Sequence, residues 1–173
     1  MGTEGDMEEQ GTCIISSEPL QGYRPCVGIL LHRPGRGLFV GRRIDTTVEA
    51  WQLPQGGIDP SETPLSSAVR ELREEAGTDA ATLLKESDRW RAYDLPADLA
   101  AKSWRGRYKG QSQRWFLFRF DGEDGDIDLI GHGEEAEFAE WRWMGEAEIM
   151  AHIVPFKRAI YQDVFDEFRG DLT

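Results

Sequence analysis

The sequence predicts an α/β protein with one hydrophobic core, and three observations support this prediction. The chain has 173 residues, close to the roughly 150 residues of one ordinary domain. Hydrophobic residues make up 39% and aromatic residues 10% of the chain, which is enough for a folded core. Short β-prone runs alternate with two segments of helical pattern. No apolar run reaches the roughly 18 residues that would predict a membrane-spanning helix.

Strands are predicted where short apolar runs are bounded by turn residues. The first two are residues 26–31 and 37–40, with the turn cluster Arg-Pro-Gly-Arg at 33–36 between them. Residues 51–54 form a third run that leads into a glycine-rich loop. Further strands are expected at 81–84, 90–93, 114–120 and 137–143.

Two helices are predicted from capping residues and from the spacing of apolar residues. The first covers 64–76, because Thr63 can cap it, Pro64 suits its first position and Gly77 can end it. Its expected buried stripe consists of Leu65, Ala68, Val69, Leu72 and Ala76. The second covers 154–168, with an apolar residue at every fourth position: Phe156, Ile160, Val164 and Phe168.

Charge and cysteine content narrow the classes of function. Twenty basic residues against 32 acidic residues give a net charge of −12, which excludes a generally basic nucleic-acid coat. Cys13 and Cys26 lack metal-binding spacing, so we expect free thiols. Residues 1–21 carry five acids and no base, which predicts a mostly unstructured acidic tail before a single domain at 22–173. The N-terminus has no secretion pattern, so a cytoplasmic protein is expected.

Three glutamates on the first helix indicate metal-dependent phosphate chemistry. Glu71, Glu74 and Glu75 are spaced i, i+3 and i+4, so they project from one side of the helix, beside the predicted buried stripe. Such close carboxylates repel one another unless hard divalent cations neutralise them. Mg²⁺ prefers carboxylate oxygens and accepts substrate phosphate oxygens. The alternative is a solvated helical face, with Arg70 and Arg73 among the acids.

A longer pattern surrounds the three glutamates. From Gly56 to Gly77 the chain reads G-x5-E-x7-R-E-U-x-E-E-x-G, where U is a bulky aliphatic residue. This string resembles the signature of the Nudix hydrolases. The resemblance implies an α/β/α sandwich with a mixed β-sheet, and cleavage of nucleoside diphosphates that are linked to another group.

The same resemblance implies roles for the residues of the pattern. Glu71, Glu74 and Glu75 would hold Mg²⁺, with Mn²⁺ as the alternative ion. The Gly56 carbonyl would add a ligand, and Arg70 would steady the carboxylates.

Further strings outside the pattern resemble the bacterial RNA 5′-pyrophosphohydrolase branch of the family, which also contains dinucleoside polyphosphate hydrolases. They are GYRP at 22–25, GRR at 41–43, WQLPQGG at 51–57, GQSQRWF at 110–116, EFAEWRW at 137–143 and VPFKR at 154–158. By this resemblance, Glu137 supplies a catalytic, metal-binding carboxylate from outside the helix. The substrate would be contacted by Arg24, Arg43, Gln111, Arg114, Phe156 and Lys157.

Several of these residues have a plainer interpretation. Phe156 could stack on a base or only pack in the core, and Glu137 could be a solvated acid. Arg114 begins the predicted strand at 114–120 and Gln111 lies just before it, and in a strand half of the side chains face away from any one surface. The segment 102–114 contains only basic charges and indicates a phosphate-bearing ligand or a solvated loop: Lys102, Arg105, Arg107, Lys109 and Arg114.

The resulting hypothesis is a Mg²⁺-dependent hydrolase that removes pyrophosphate from triphosphorylated RNA 5′ ends, with Glu74 or Glu137 as the general base. The runner-up is a dinucleoside polyphosphate hydrolase that uses the same metal site. A third hypothesis, a nucleotide-binding module without catalysis, is disfavoured because the carboxylates are intact. We expect neither a membrane nor a DNA duplex as partner, and the sequence leaves the oligomeric state open.

Overall fold

The computed structural model describes residues 11–44, 49–130 and 136–172, and it has the predicted α/β architecture. Its strands are β1 (Ile14–Ser16), β2 (Arg24–Arg33), β3 (Gly37–Arg43), β4 (Trp51–Gln52), β5 (Gln55–Gly57), β6 (Ala81–Asp94), β7 (Gly110–Phe120) and β8 (Phe138–Met144). Its α-helices are α1 (Pro64–Ala76), α2 (Ala97–Lys102), α3 (Glu146–His152) and α4 (Arg158–Phe168). None of these helices is long and apolar enough to cross a bilayer.

The sheet is mixed, as the resemblance implied. Strands follow the order β1-β6-β7-β2-β3-β4, with β5 paired to β2 and β8 paired to β3. The central pair β2 and β7 is parallel, and the other described pairs are antiparallel. The register of β2 and β7 places Arg24 opposite Gln111.

Alternation along the central strands gives the sheet two apolar faces. Val27, Ile29 and Leu31 on β2 pack with the apolar residues of α1. On the opposite face, Leu30 and Trp115 belong to a core that includes residues of α3 and α4. Helices therefore cover both faces, which is an α/β/α sandwich.

Helix α1 begins and ends where its capping residues predict. Thr63 accepts a hydrogen bond from the Ser66 backbone N–H at 3.1 Å, and Gly77 ends the helix with a φ of 69°. The predicted stripe is only partly correct, because Leu65 and Val69 are 36% and 37% exposed. The buried face is rotated away from these two residues.

Some predicted elements differ from the structure in length. The runs 81–84 and 90–93 are the two ends of the single strand β6, which keeps its pairing with β7 through register shifts between them. Helices α2 and α3 were not predicted, because six or seven residues are too few to show a clear helical period.

The closing helix is shorter than predicted. Pro155–Lys157 forms a 3₁₀ turn, and α4 starts only at Arg158. Phe156 therefore precedes the apolar stripe of α4, and its ring lies 6.2 Å from that of Tyr93, with an interplanar angle of 25°.

The N-terminal segment also differs from the expectation of an unstructured tail. Residues 14–16 form β1, which pairs with β6 and places Ile14 opposite Ala92. The free edge of the long strand β6 offers backbone partners that a composition argument does not reveal. The first ten residues of the predicted acidic tail lie outside the described residues.

A buried ion cluster fastens α4 to β6. The Arg91 side chain is fully buried and pairs with Asp163 at 2.7 Å and Glu167 at 2.8 Å. It also donates to the Ser87 hydroxyl at 3.2 Å. These contacts satisfy a charge that would otherwise be costly to bury.

Candidate functional site

Strand β5 and helix α1 bring the glycine-rich segment against the glutamates. β5 pairs with β2, so that Gly56 lies opposite Val27, and α1 packs across both strands. A Cβ atom built on Gly56 would lie 2.0 Å from the Cδ atom of Glu71. Only glycine therefore lets the Glu71 carboxyl group approach the strand this closely.

The burial of two glutamates corrects the prediction that all three lie beside the buried stripe. Glu71 is 7% exposed and Glu75 is 4% exposed, so both lie within the buried face of α1. Glu75 accepts one hydrogen bond, from the Gln55 backbone N–H to its Oε2 atom at 3.1 Å. Its Oε1 atom has no N–H or hydroxyl donor among the described residues, and the Glu137 carboxyl group lies within hydrogen-bonding reach of Glu75.

The electrostatic environment favours the neutral form of these carboxyl groups in the absence of a cation. Burial, with the charges of Glu74 and Glu137, raises the pKa of Glu71 to about 7, although Arg70 opposes the shift. Burial and the adjacent Glu137 raise the pKa of Glu75 well above its ordinary value. Glu137, the residue before β8, is thus close enough to the helix glutamates to raise the pKa values of both Glu71 and Glu75.

Arg70 braces the acidic side of the site. Its Nη1 atom donates to Glu71 at 2.8 Å and to Glu74 at 3.2 Å, and its Nη2 atom donates to the Gly57 carbonyl at 2.9 Å. Its Nε atom is 2.9 Å from Oε2 of Glu62. This pairing lowers the pKa of Glu62 to about 2. One guanidinium therefore joins the glycine-rich segment to the carboxylates of α1.

A polar bridge connects the glutamates to Lys157 and was not recognised in the sequence. The buried Nζ atom of Lys157 lies 3.1 Å from Oε1 of Gln52 and 3.4 Å from Oε1 of Gln55. Gln113 donates to the same oxygen of Gln55 at 3.1 Å. Burial, reinforced by the charge of Arg43, lowers the pKa of Lys157 to about 7. The alternating glutamines of the string GQSQRWF at 110–116 were the available signal.

The predicted substrate residues fall into two groups. The charge of Arg43 contributes to the lowered pKa of Lys157, and Gln111 accepts a hydrogen bond from Gln113 at 2.9 Å. Arg114 lies apart from them, because neighbouring strand residues point to opposite faces. Its guanidinium is 3.2 Å from Glu86 on β6.

The site is suited to a divalent cation by its donors. Across residues 11–44, 49–130 and 136–172, no three acidic, histidine or cysteine side chains form a ready metal cage. The carboxylates are nevertheless hard oxygen donors, and the Oε1 atom of Glu75, without an N–H or hydroxyl donor among the described residues, points to a missing positive partner. The residues present therefore fit Mg²⁺ or a similar ion.

The close approach at Gly56 predicts a stability effect. We expect Gly56→Ala to lower the free energy of unfolding by about 1–3 kcal/mol, because the new methyl group must displace the buried Glu71 carboxyl. Denaturant unfolding measures this change. Gly125→Ala is the matched control, because its Cβ would meet nothing within 4 Å. Equal stability of the two variants would contradict the described packing.

The fold and the carboxylate pattern define a class of enzyme, the α/β/α hydrolases that act on phosphoric anhydride bonds. The model of the NUDIX domain family matches residues 22–164 of the chain. The chain belongs to the Nudix family. Hydrolases of this family generally need divalent metal ions.

Two relatives are similar to this chain over most of its length. The chain is 48% identical over 152 residues to an RNA pyrophosphohydrolase of Roseobacter denitrificans, covering 87% of this chain and 94% of that protein. It is 48% identical over 146 residues to an RNA pyrophosphohydrolase of Rickettsia canadensis, covering 84% and 89%.

Solved structures share the fold at low sequence identity. A C. elegans Ap4A hydrolase superposes with a TM-score of 0.60 and 19% identity, covering 87% of this chain and 99% of that one. The E. coli dihydroneopterin triphosphate pyrophosphohydrolase superposes with a TM-score of 0.61 and 18% identity, covering 83% and 97%. At these identities the likeness shows the fold alone.

Proposed function

We propose that this protein is a Mg²⁺-dependent RNA pyrophosphohydrolase that acts in the cytoplasm. It would break the anhydride bond between the α and β phosphates of a triphosphorylated RNA 5′ end. Water supplies the oxygen and protons, and the products are a 5′-monophosphate end and pyrophosphate. The observation that carries the proposal is the 48% identity over 87% of the chain to an RNA pyrophosphohydrolase, with every carboxylate of the helix pattern present.

The carboxylates of α1 are the proposed metal ligands. Glu71, Glu74 and Glu75 would hold Mg²⁺, with Mn²⁺ as the alternative ion, and Glu137 and the Gly56 carbonyl would complete the set. When bound, the metal would neutralise the phosphates, polarise the attacked bond and lower the pKa of a water ligand. Burial of Glu71 and Glu75 would fix their orientation, since their side chains have little room to turn.

Of the two candidate general bases, Glu74 and Glu137, we favour Glu137. One oxygen of Glu74 accepts a hydrogen bond from Arg70 at 3.2 Å, and this contact restrains the Glu74 carboxylate. Glu137 is exposed, faces Glu75 and has no arginine partner among the described residues. In the proposed reaction it would take the proton of a water bound at the carboxylates.

Positive and aromatic groups around the carboxylates would hold the substrate. Lys157, whose Nζ atom lies 3.1 Å from Gln52, and Arg43, whose charge acts on Lys157, would pair with phosphate oxygens. Arg24 and Gln111 share one end of the central strand pair. Phe156 is partly buried against Tyr93, so one face would remain for a base. Arg114 is the least favoured contact, because it is paired with Glu86.

Two substrates tested in parallel decide between the leading hypotheses. Purified protein with Mg²⁺ is incubated with a short 5′-triphosphorylated RNA or with diadenosine pentaphosphate, and the products are separated by chromatography. We expect a higher kcat/KM for the RNA, with release of pyrophosphate. A higher value for the dinucleotide would replace the proposal with a dinucleoside polyphosphate hydrolase. Binding of both without any metal-dependent cleavage would indicate a non-catalytic module.

A further inference from the structure

The loop between α2 and β7 carries positive charge that the carboxylate site does not use. This basic loop, defined here as residues 102–109 and so including the last residue of α2, has four exposed cationic side chains: Lys102, Arg105, Arg107 and Lys109. None of them forms an ion pair with an acid in the parts of the chain that the structure describes. Unpaired cations on one loop of a protein with a net charge of −12 indicate an anionic ligand.

Trp104 in this loop is linked to the carboxylate site through Arg24. The Arg24 guanidinium lies over the Trp104 ring, 5.2 Å from its centroid. The same guanidinium packs against Gly57. A Cβ atom built on Gly57 would lie 2.2 Å from the Nη2 atom of Arg24. Gly57 follows Gly56, which contacts Glu71. The basic loop is therefore separated from the glutamates by one guanidinium and one strand.

Two residues of the basic loop have backbone conformations that residues other than glycine rarely adopt. Trp104 and Arg105 have φ angles of 48° and 58°, in the left-handed region that disfavours side chains. This bend places the Trp104 ring edge-on to Tyr108, with 6.0 Å between centroids. Beside them lies a cleft of about 360 Å³, lined in part by Tyr108, Arg107 and Lys109.

We propose that the basic loop binds the single-stranded RNA that follows the 5′ end of the substrate. Bases would stack on the faces of Trp104 and Tyr108 that Arg24 and Arg107 leave free, and backbone phosphates would pair with Arg105, Arg107 and Lys109. This inference rests on the proposed function, because it assigns the loop to the same substrate. It adds a site for the chain beyond the triphosphate.

The distribution of charge favours an RNA chain over a dinucleoside polyphosphate. A dinucleoside polyphosphate carries all its phosphates in one bridge, and that bridge would bind at the carboxylate site and Lys157. The basic loop presents separate cations on the other side of Arg24, and only a polynucleotide supplies further phosphates there. The acidic net charge argues against a long duplex, so a short single strand is the matching ligand.

Steady-state kinetics with RNAs of two lengths test the stacking role. We expect Trp104→Ala to raise KM for a triphosphorylated oligonucleotide of about twelve nucleotides by about 5- to 150-fold. KM for a triphosphorylated dinucleotide and kcat for both should change less than about twofold. Trp104→Phe should recover most of the loss, because it keeps an aromatic face. An equal rise for both lengths would overturn the inference, since Trp104 would then only position Arg24.

Direct binding separates this inference from the proposed activity. Fluorescence anisotropy of a labelled 5′-monophosphate oligonucleotide is measured in EDTA, where no hydrolysis occurs. The combined variant Arg105→Gln, Arg107→Gln, Lys109→Gln should weaken binding and make the log–log salt dependence shallower by about 2. The matched charge control replaces three exposed arginines of other elements with glutamine: Arg36, Arg119 and Arg142.

The outcomes for the two proposals are distinct. If the wild type binds the oligonucleotide and only the loop variants lose it, the inference stands even where triphosphate cleavage is absent. If the loop variants and the control variants weaken binding equally, the charge effect is general and the inference is wrong. Cleavage of the triphosphorylated dinucleotide without length dependence would keep the proposed function and remove the loop from it.

Discussion

Glu75→Gln is expected to lower kcat/KM for a triphosphorylated RNA by at least about 10²-fold while the protein stays folded. Glu75 is buried, and its Oε1 atom lacks an N–H or hydroxyl donor among the described residues, so its proposed role is to bind the metal. Glutamine has the same shape and can still accept the hydrogen bond from the Gln55 N–H. Kinetics and thermal unfolding, each with and without Mg²⁺, measure the two effects.

The same variant should alter the pH dependence of stability in EDTA. The pKa of Glu71 is raised from 4.5 to about 7, and that of Glu75 is also raised. A carboxyl group with a raised folded-state pKa destabilises the fold as the pH rises above 4.5 through the folded-state value. The metal-free wild type should therefore lose stability over this range, and Glu75→Gln should lose less.

Glu148→Gln is the matched control for this experiment. Glu148 is an exposed acid on α3, outside the carboxylate cluster, so its replacement should leave turnover and the Mg²⁺ effect on stability unchanged. Near-normal turnover of Glu75→Gln would refute its proposed metal role. So would an unchanged rise in thermal stability on addition of Mg²⁺ to that variant.

Arg91→Met is expected to destabilise the protein by about 3–5 kcal/mol, because the buried Glu167 carboxylate loses its closest cation and keeps only Arg89, at 3.3 Å, among the described residues. The Glu167 side chain is only 8% exposed and lies 2.8 Å from Arg91, whereas Asp163 is 39% exposed and can be hydrated. For a chain of this size the melting temperature should fall by about 6–20 °C. Denaturant unfolding gives the free energy directly.

A second replacement and a surface control identify the cause of this loss. Adding Glu167→Gln to Arg91→Met should recover part of the stability, because the uncompensated charge is removed. Arg119→Met removes an exposed pair with Asp121 at 2.8 Å and should cost at most about 1 kcal/mol. Similar losses for Arg91→Met and Arg119→Met would contradict the burial of the Arg91 cluster.

Local sequence signals predicted the bounds of α1 correctly and those of the longer strands approximately. The ends of α1 are encoded by Thr63 and Gly77, whose capping contacts involve only neighbouring residues. The 3₁₀ turn at Pro155–Lys157 interrupted a pattern that looked like one helix. Periodicity does not distinguish one continuous helix from a 3₁₀ turn followed by a shorter helix, because both place apolar residues about four apart.

The sequence by itself determined the family, the bounds of α1 and the identity of the acidic residues, because these depend on residue types at fixed spacing. Only the tertiary structure decided which glutamates are buried, since β5 covers Glu71 and Glu75 but leaves Glu74 partly exposed. It also joined Lys157 to Gln52, which are 105 residues apart in the chain. Contacts of this kind arise from strand pairing and helix packing, and no local pattern specifies them.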